Sequence, residues 1–285
     1  MARPITAGVD GSPESLAAAD WAAREARRRG LPLRLVYAQT WRAEEVPAEY
    51  ERARRHPLED TADEMRTLHP DLPITTERLT DQPEAVLPRE AEDAEMLVLG
   101  SRGLGRFTGF LVGSVGMQVL ARARAPVVMV RTGERVAAEQ TRGEVVVGAQ
   151  DLDESGEPVL GWAFAAADLR GATLRAVRTW AVPPIFGYDP AALRITEQSD
   201  ALDARERELL SQGLRPWRER YPRVAVIEQT ELGDPAETLV RAASRADLLV
   251  VGRRMRRSPL GIRVGPVTHG VLHHAPCPVA VIPHE

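Results

Sequence analysis

Two tandem, doubly wound α/β domains are predicted from three features of the sequence: its length of 285 residues, an internal repeat, and strand segments that read as unbroken aliphatic runs. The length exceeds what one hydrophobic core usually organises and suits two domains of ordinary size. The repeat is anchored by Ala94-Glu-Met-Leu-Val-Leu-Gly100, which returns as Ala246-Asp-Leu-Leu-Val-Val-Gly252 at an offset of 152. Pro83 and Pro235, Leu87 and Leu239, and Gly113 and Gly265 keep that offset, and Ala125-Pro-Val-Val-Met-Val130 answers Cys277-Pro-Val-Ala-Val-Ile282. Nearer the N-termini Gly8-Val-Asp10 matches Gly148-Ala-Gln150 at 140, and Leu33-Arg-Leu35 matches Leu174-Arg-Ala176 at 141. The second copy therefore carries about 11 extra residues after its second strand, around the Pro-rich stretch 182–190 and the helix start beyond it. The domains are expected at 1–134 and 143–285.

Within the first copy, strand and helix alternate. Ile5 to Val9 is a short apolar strand; Ser12-Pro13-Glu14-Ser15 then offers an N-cap, an N1 proline and an early acid, and Gly30 ends the helix after Arg29. Leu33 to Ala38, Ile74 to Leu79, Met96 to Gly100 and Val127 to Val130 supply four more strands. Helices are expected over Pro57 to Leu68, Pro83 to Ala94 and Gly113 to Arg124. Continuous Val/Leu runs without a polar alternation belong to strands covered on both faces, hence to a five-stranded parallel sheet between helix layers.

Composition excludes several classes. Aliphatic side chains dominate the 44% hydrophobic content, with only 5% aromatic and 27% charged residues, so a folded chain is expected rather than a disordered one. No apolar run approaches the roughly 20 residues of a membrane span, and Met1-Ala-Arg-Pro leads straight into a strand, so the expected location is cytoplasmic. All 37 basic residues are arginine, which rules out a lysine-dependent P-loop or Schiff-base enzyme. The net charge of -4 offers no general attraction for nucleic acid, although arginines cluster at 27–29 and 253–257. The single cysteine, Cys277, lies in an apolar run and reads as a buried structural residue.

Ligands of open α/β sheets bind beyond the carboxyl ends of the strands, where strand order reverses. After the fourth strand comes Gly100-Ser-Arg-Gly103-Leu-Gly105-Arg-Phe-Thr-Gly109-Phe-Leu-Val-Gly113-Ser114-Val115, a glycine-rich loop ending at a helix start. Such a loop suits phosphates because its amides approach oxygens closely and the helix end adds unpaired N–H groups. Ser114 adds a hydroxyl, and Arg102 or Arg106 a charge. Glycines alone equally describe an ordinary βα connection; the spacing Gly-x2-Gly-x9-Gly-Ser at Gly100, Gly103, Gly113 and Ser114 is the more specific signal.

That spacing, together with Ile5-Thr-Ala-Gly-Val-Asp10-Gly-Ser12 and the Ala125-Pro-Val-Val-Met-Val130 ending, resembles the universal stress protein family, and with its second copy the resemblance covers nearly the whole chain. The resemblance implies a Rossmann-like sheet of order 3-2-1-4-5 in each domain. It implies ATP as ligand, with Mg²⁺ carried on the phosphates. Asp10 is then expected beside adenine or ribose, where the alternative is a simple turn-forming aspartate, and the backbone of Ala38 along the adenine pocket. Gly100 and Gly103 would border ribose and phosphates, with Gly113, Ser114 and Val115 on the phosphate side, and Gly8, Leu99 and Arg102 complete the expected set. The second copy departs from the pattern: Gln150 replaces the aspartate, Met255 the second glycine and Pro266 the serine. Its ATP site is therefore expected to be degenerate.

His269, His273 and His274 sit near a helix C-terminus, where the dipole already favours them, and no acid or thiol fits beside them; no metal site is expected. No nucleophile-histidine-acid arrangement has local support, so efficient hydrolysis is not expected. The resemblance implies a regulatory, stress-related ATP-binding protein of bacterial type, in which nucleotide orders the loop 101–112 and alters the surface shown to a protein partner. The last strands of the two copies are apolar edges that need cover, and the resemblance implies that they pair as an intrachain pseudo-dimer; the chain is also expected to form a homodimer. Two rival functions stand beside this one: slow ATP hydrolysis or phosphotransfer with Ser114 or Arg102 at the γ-phosphate, and a scaffold that binds no nucleotide.

Overall fold

The computed structural model describes residues 2–39, 57–101, 113–132, 143–181, 192–255 and 264–285. They form two compact units: 2–132 with Val264 and Pro278–Pro283, and 143–255 with Gly265–Cys277, His284 and Glu285.

The first unit contains β1 (Ile5–Gly8), α1 (Pro13–Arg29), β2 (Leu33–Gln39), α2 (Pro57–Leu68), β3 (Ile74–Thr80), α3 (Pro83–Glu92), β4 (Met96–Ser101), α4 (Ser114–Arg122) and β5 (Val127–Arg131). Its strands pair in parallel in the order β3-β2-β1-β4-β5, with Ile5 opposite both Leu33 and Met96, and Leu97 opposite Val127. This is the 3-2-1-4-5 order. The aliphatic runs explain it: Ile5, Leu33, Leu35, Leu97, Val98 and Val128 are buried, as strands covered on both faces must be.

Helix α1 is specified at both ends. The Ser12 side chain accepts a hydrogen bond from the Ser15 N–H at 3.1 Å, Pro13 opens the first turn, and Gly30 at φ 63° closes the last turn. Its inward face is alanine at 18, 19, 22, 23 and 26, all fully buried, which lets the helix lie close on β1, β4 and β5. Glu25 is also buried and is paired with Arg29 at 2.7 Å, so that its charge is not left uncompensated.

The second unit contains β6 (Glu144–Gly148), α5 (Glu157–Arg170), β7 (Thr173–Trp180), α6 (Ala192–Arg220), β8 (Val226–Leu232), α7 (Pro235–Ala242), β9 (Leu248–Arg254) and α8 (Pro266–His274). Its parallel order is β8-β7-β6-β9, the 3-2-1-4 part of the same topology. The fifth strand of this repeat, β10 (Val279–His284), runs antiparallel beside β5 in the first unit, with Ala280 opposite Val128. The last strands of the two copies thus pair, as the family resemblance implies. Helix α6 has 29 residues where α2 has 12, a difference larger than the about 11 extra residues of the second copy; the Pro-rich stretch 182–190 lies outside the described residues. Phe164, Trp217 and Tyr221 stack at centroid distances of 5.8 to 6.4 Å and fix α6 on α5.

Asp234 caps α7 by accepting the Glu237 N–H at 2.9 Å. Asp234→Ala is expected to lower the unfolding free energy by about 1 kcal/mol in urea denaturation, the usual value of a lost side-chain cap.

Candidate functional site

Above the carboxyl ends of β1, β2 and β4 the first unit holds a cavity of about 490 Å³. That is within the ordinary range for small-molecule sites. Helices on opposite faces of adjacent strands create it: α1 follows β1, while α3 and α4 pack against each other elsewhere on the sheet. The inner wall is apolar, from Val36, Ala38, Pro83, Leu87 and Leu99. The rest is polar backbone and short side chains from two segments, the turn Val9 to Ser15 and the start of α4 from Gly113 to Gly116.

The β1 turn is fixed by hydrogen bonds. One carboxylate oxygen of Asp10 accepts from the N–H of Ser12 at 2.9 Å and from its hydroxyl at 2.6 Å, while the Asp10 N–H donates to the Ser15 hydroxyl at 3.2 Å. Gly11 takes φ 83°, a left-handed conformation that suits glycine. Asp10 is exposed and lines the cavity, so it is both the turn-forming aspartate and a wall residue. At the other end, Gly113 is the N-cap of α4, and the first helical bond runs from the Met117 N–H to the Gly113 carbonyl. The amides of Ser114, Val115 and Gly116 precede that bond, at the positions where a helix makes no intrahelical bond from its N–H groups and carries the positive end of its dipole. The side chain of Ser114 is exposed.

Gly100 holds these pieces together. A Cβ on it would lie 2.5 Å from the Glu14 carbonyl carbon and 2.8 Å from the Ser15 nitrogen, so β4 and the first turn of α1 touch backbone to backbone.

The structure brings Gly8, Asp10, Ala38, Leu99, Gly100, Gly113, Ser114 and Val115 around this one cavity. Arg102 and Gly103 lie outside the described residues. Sequence reasoning missed Val36, Pro83 and Leu87, and also Ser12, Glu14 and Ser15. Val36 could have been found as the residue two before Ala38 on the same strand face, and Ser12 to Ser15 as the helix start beside Asp10.

At the equivalent strand ends the second unit is built differently. Helix α5 starts one turn later than α1, so that loop 149–156 stands where four residues, 9–12, suffice in the first unit. Asp153 accepts from the N–H of Ser155 at 3.1 Å and its hydroxyl at 2.6 Å, repeating the Asp10–Ser12 turn three residues further along, and these bonds hold its carboxyl below the usual range. Arg254 donates to both carboxylate oxygens of Asp151 at 2.9 Å. Arg178 donates to the carbonyl of Gln150 at 2.6 Å and to Glu206 at 2.6 Å. The N–H of Met255 is bonded to the His284 carbonyl at 2.7 Å, and Pro266 occupies the first position of α8.

His269 and His273 approach each other at 3.2 Å on α8, and among the described residues no group of three or more His, Cys, Asp or Glu is placed to hold a metal ion. Cys277 is buried. No helix among the described residues is long and apolar enough to cross a membrane.

The fold is that of a doubly wound α/β domain with a cavity at its strand ends. The sequence model of the universal stress protein family matches residues 1–131 and again 143–283, and the chain belongs to that family. A universal stress protein of Mycobacterium tuberculosis is 32% identical over 295 residues, covering 97% of this chain and 95% of its own. One of Mycolicibacterium smegmatis is 33% identical over 292 residues, with 98% and 96% covered. Among solved structures, a universal stress protein of Archaeoglobus fulgidus superimposes with a TM-score of 0.66 over 100% of both chains at 16% identity, a likeness of fold.

Gly100→Ala, which puts a methyl group against main-chain atoms, is expected to cost about 1 to 3 kcal/mol of stability by overpacking, read in chemical denaturation. The same methyl at exposed Gly265, where nothing lies within 4 Å, serves as the control and is expected to be near neutral.

Proposed function

We propose that the first unit binds ATP in the cavity between the β1 turn and the start of α4, and that the protein acts as a nucleotide-dependent regulator in a stress response. The convergence of the motif residues on one cavity carries this reading: its lining combines an apolar wall, a carboxylate and a helix start, the three features that a base, a ribose and a polyphosphate would use. Adenine would lie against Val36, Ala38, Leu87 and Leu99. Ribose hydroxyls would donate to Asp10. The phosphates would accept from the amides of Ser114 and Val115 and from the Ser114 hydroxyl.

Mg²⁺ fits the same arrangement. Asp10 and Glu14 are the carboxylates on the lining, and this ion is commonly held by one or two carboxylates together with phosphate oxygens. The described lining has no histidine to serve as a base toward an attacking water, and the reading is of a binding protein with at most slow hydrolysis. The second unit, with its late helix start and its amide at Met255 committed to His284, is read as keeping the fold without the site. A cytoplasmic location and a homodimer complete the proposal.

Calorimetric titration of ATP with Mg²⁺ tests it. The wild type is expected to bind close to one ATP per chain, and Gly113→Ala combined with Ser114→Ala to bind at least tenfold more weakly, about 1.4 kcal/mol, with an unchanged circular dichroism spectrum. Two equivalents per chain would refute the reading of the second unit. No binding by the folded wild type would leave a scaffold as the function.

A further inference from the structure

We propose that the crevice of the second unit is closed by the chain's own Arg254–Asp151 pair, and that Asp151 is the residue that keeps polyphosphate anions out of it. The proposal rests on the reading of the first unit only for its comparison. Asp151 occupies the repeat position of Gly11, and Arg254 that of Arg102. Strands β6 and β9 are parallel neighbours, so a bond between the loop after β6 and the end of β9 spans the point where a doubly wound sheet opens. Arg254 makes that contact through one terminal nitrogen, Nη2, which lies 2.9 Å from each carboxylate oxygen of Asp151, a charge-assisted contact of the kind a phosphate oxygen would also receive.

The surroundings keep the clasp in place. The side of Asp151 toward the sheet is set by Arg178, whose guanidinium donates to the carbonyls of Gln150 at 2.6 Å and Ala149 at 3.3 Å. The loop then folds back so closely that Gly156 packs on the carbonyl of Asp151, where a Cβ would not fit. Meanwhile the start of α8 remains beside the end of β9, since the Thr268 hydroxyl donates to the Gly252 carbonyl at 3.0 Å. The parts of an anion site, a helix start and an arginine, are thus still adjacent to the crevice. What differs is a carboxylate that already satisfies the arginine and repels a second anion. The Arg254 side chain is 60% exposed and that of Asp151 26%, so a ligand can reach the guanidinium once the carboxylate charge is gone.

The test uses the full chain carrying Gly113→Ala and Ser114→Ala, titrated with inorganic tripolyphosphate. Adding Asp151→Asn, which keeps the side-chain size and removes the charge, is expected to raise the association constant at least tenfold with close to one equivalent bound. Adding Arg254→Gln should abolish the gain, and salt should weaken it. Asp151→Gly, the residue of the first unit, is the second variant should the asparagine perturb folding, which circular dichroism checks. No gain in a folded Asp151 variant, or a gain that survives Arg254→Gln, overturns the proposal. The ATP titration of the wild type is independent of this outcome: its failure would remove the proposed function and leave the clasp standing.

Discussion

The first unit depends on how closely α1 can approach β4. Two parallel neighbours whose following helices lie on opposite faces always leave a crevice above their carboxyl ends, but its shape follows from the packing of the helix starts. Here the main chain at Gly100 rests on the main chain at Glu14 and Ser15, and the alanine face of α1 permits the same closeness along the rest of the sheet. That contact places the Asp10 turn at the mouth of the space that α4 enters with its amides. A side chain at Gly100 would separate the two, and the cavity would lose its polar side while the sheet beneath kept its pairing.

The two copies show that a core and a site are maintained by different residues. Val145, Val146 and Val147 are as buried as Ile5 and Ala7, and the same strand order is recovered through β9. Core burial contributes the same free energy whether or not a ligand binds above it. The divergence is concentrated in a few positions past the strand ends: Asp151 for a glycine, Met255 for a glycine, Pro266 for a serine, and a helix start displaced by one turn. None of these positions lies within a strand that carries the sheet.

This division also explains what could be read beforehand. The α/β alternation was visible because unbroken aliphatic runs, caps at Ser12 and Gly30, and prolines at helix starts are local signals with local causes. The strand order was not visible in periodicity, which has no information on neighbours, and came from family resemblance. Eight of the expected residues line the first unit's cavity: Gly100, Gly113, Ser114 and Asp10 stand out as motif features, and Gly8, Ala38, Leu99 and Val115 came with the family resemblance. Leu87 and Pro83 were not legible, since they reach the cavity from a helix whose orientation only tertiary packing sets. The late start of α5 was hidden for a different reason: Asp153-Glu-Ser155-Gly offers the same turn chemistry as Asp10-Gly-Ser12, and Pro158 is what places the helix beyond it. The Arg254–Asp151 contact joins residues 103 apart and could not be inferred from either alone.

The placement of charge separates the two units in the opposite sense to a simple count of arginines. The described lining of the first cavity has two carboxylates and no basic side chain, and it includes the first residues of α4. In the proposed complex the attraction would come from backbone amides, with a divalent cation reconciling the carboxylates with a polyphosphate. At the second unit's strand ends arginines are abundant, but Arg178 and Arg254 are engaged by carbonyls and carboxylates of the same chain. A guanidinium that has already found its carboxylate contributes little field to a ligand, whereas the aligned amides of a helix start keep theirs. Anion recognition in this family of folds is therefore better judged from which donors the chain itself leaves unsatisfied than from the number of positive residues in the neighbourhood.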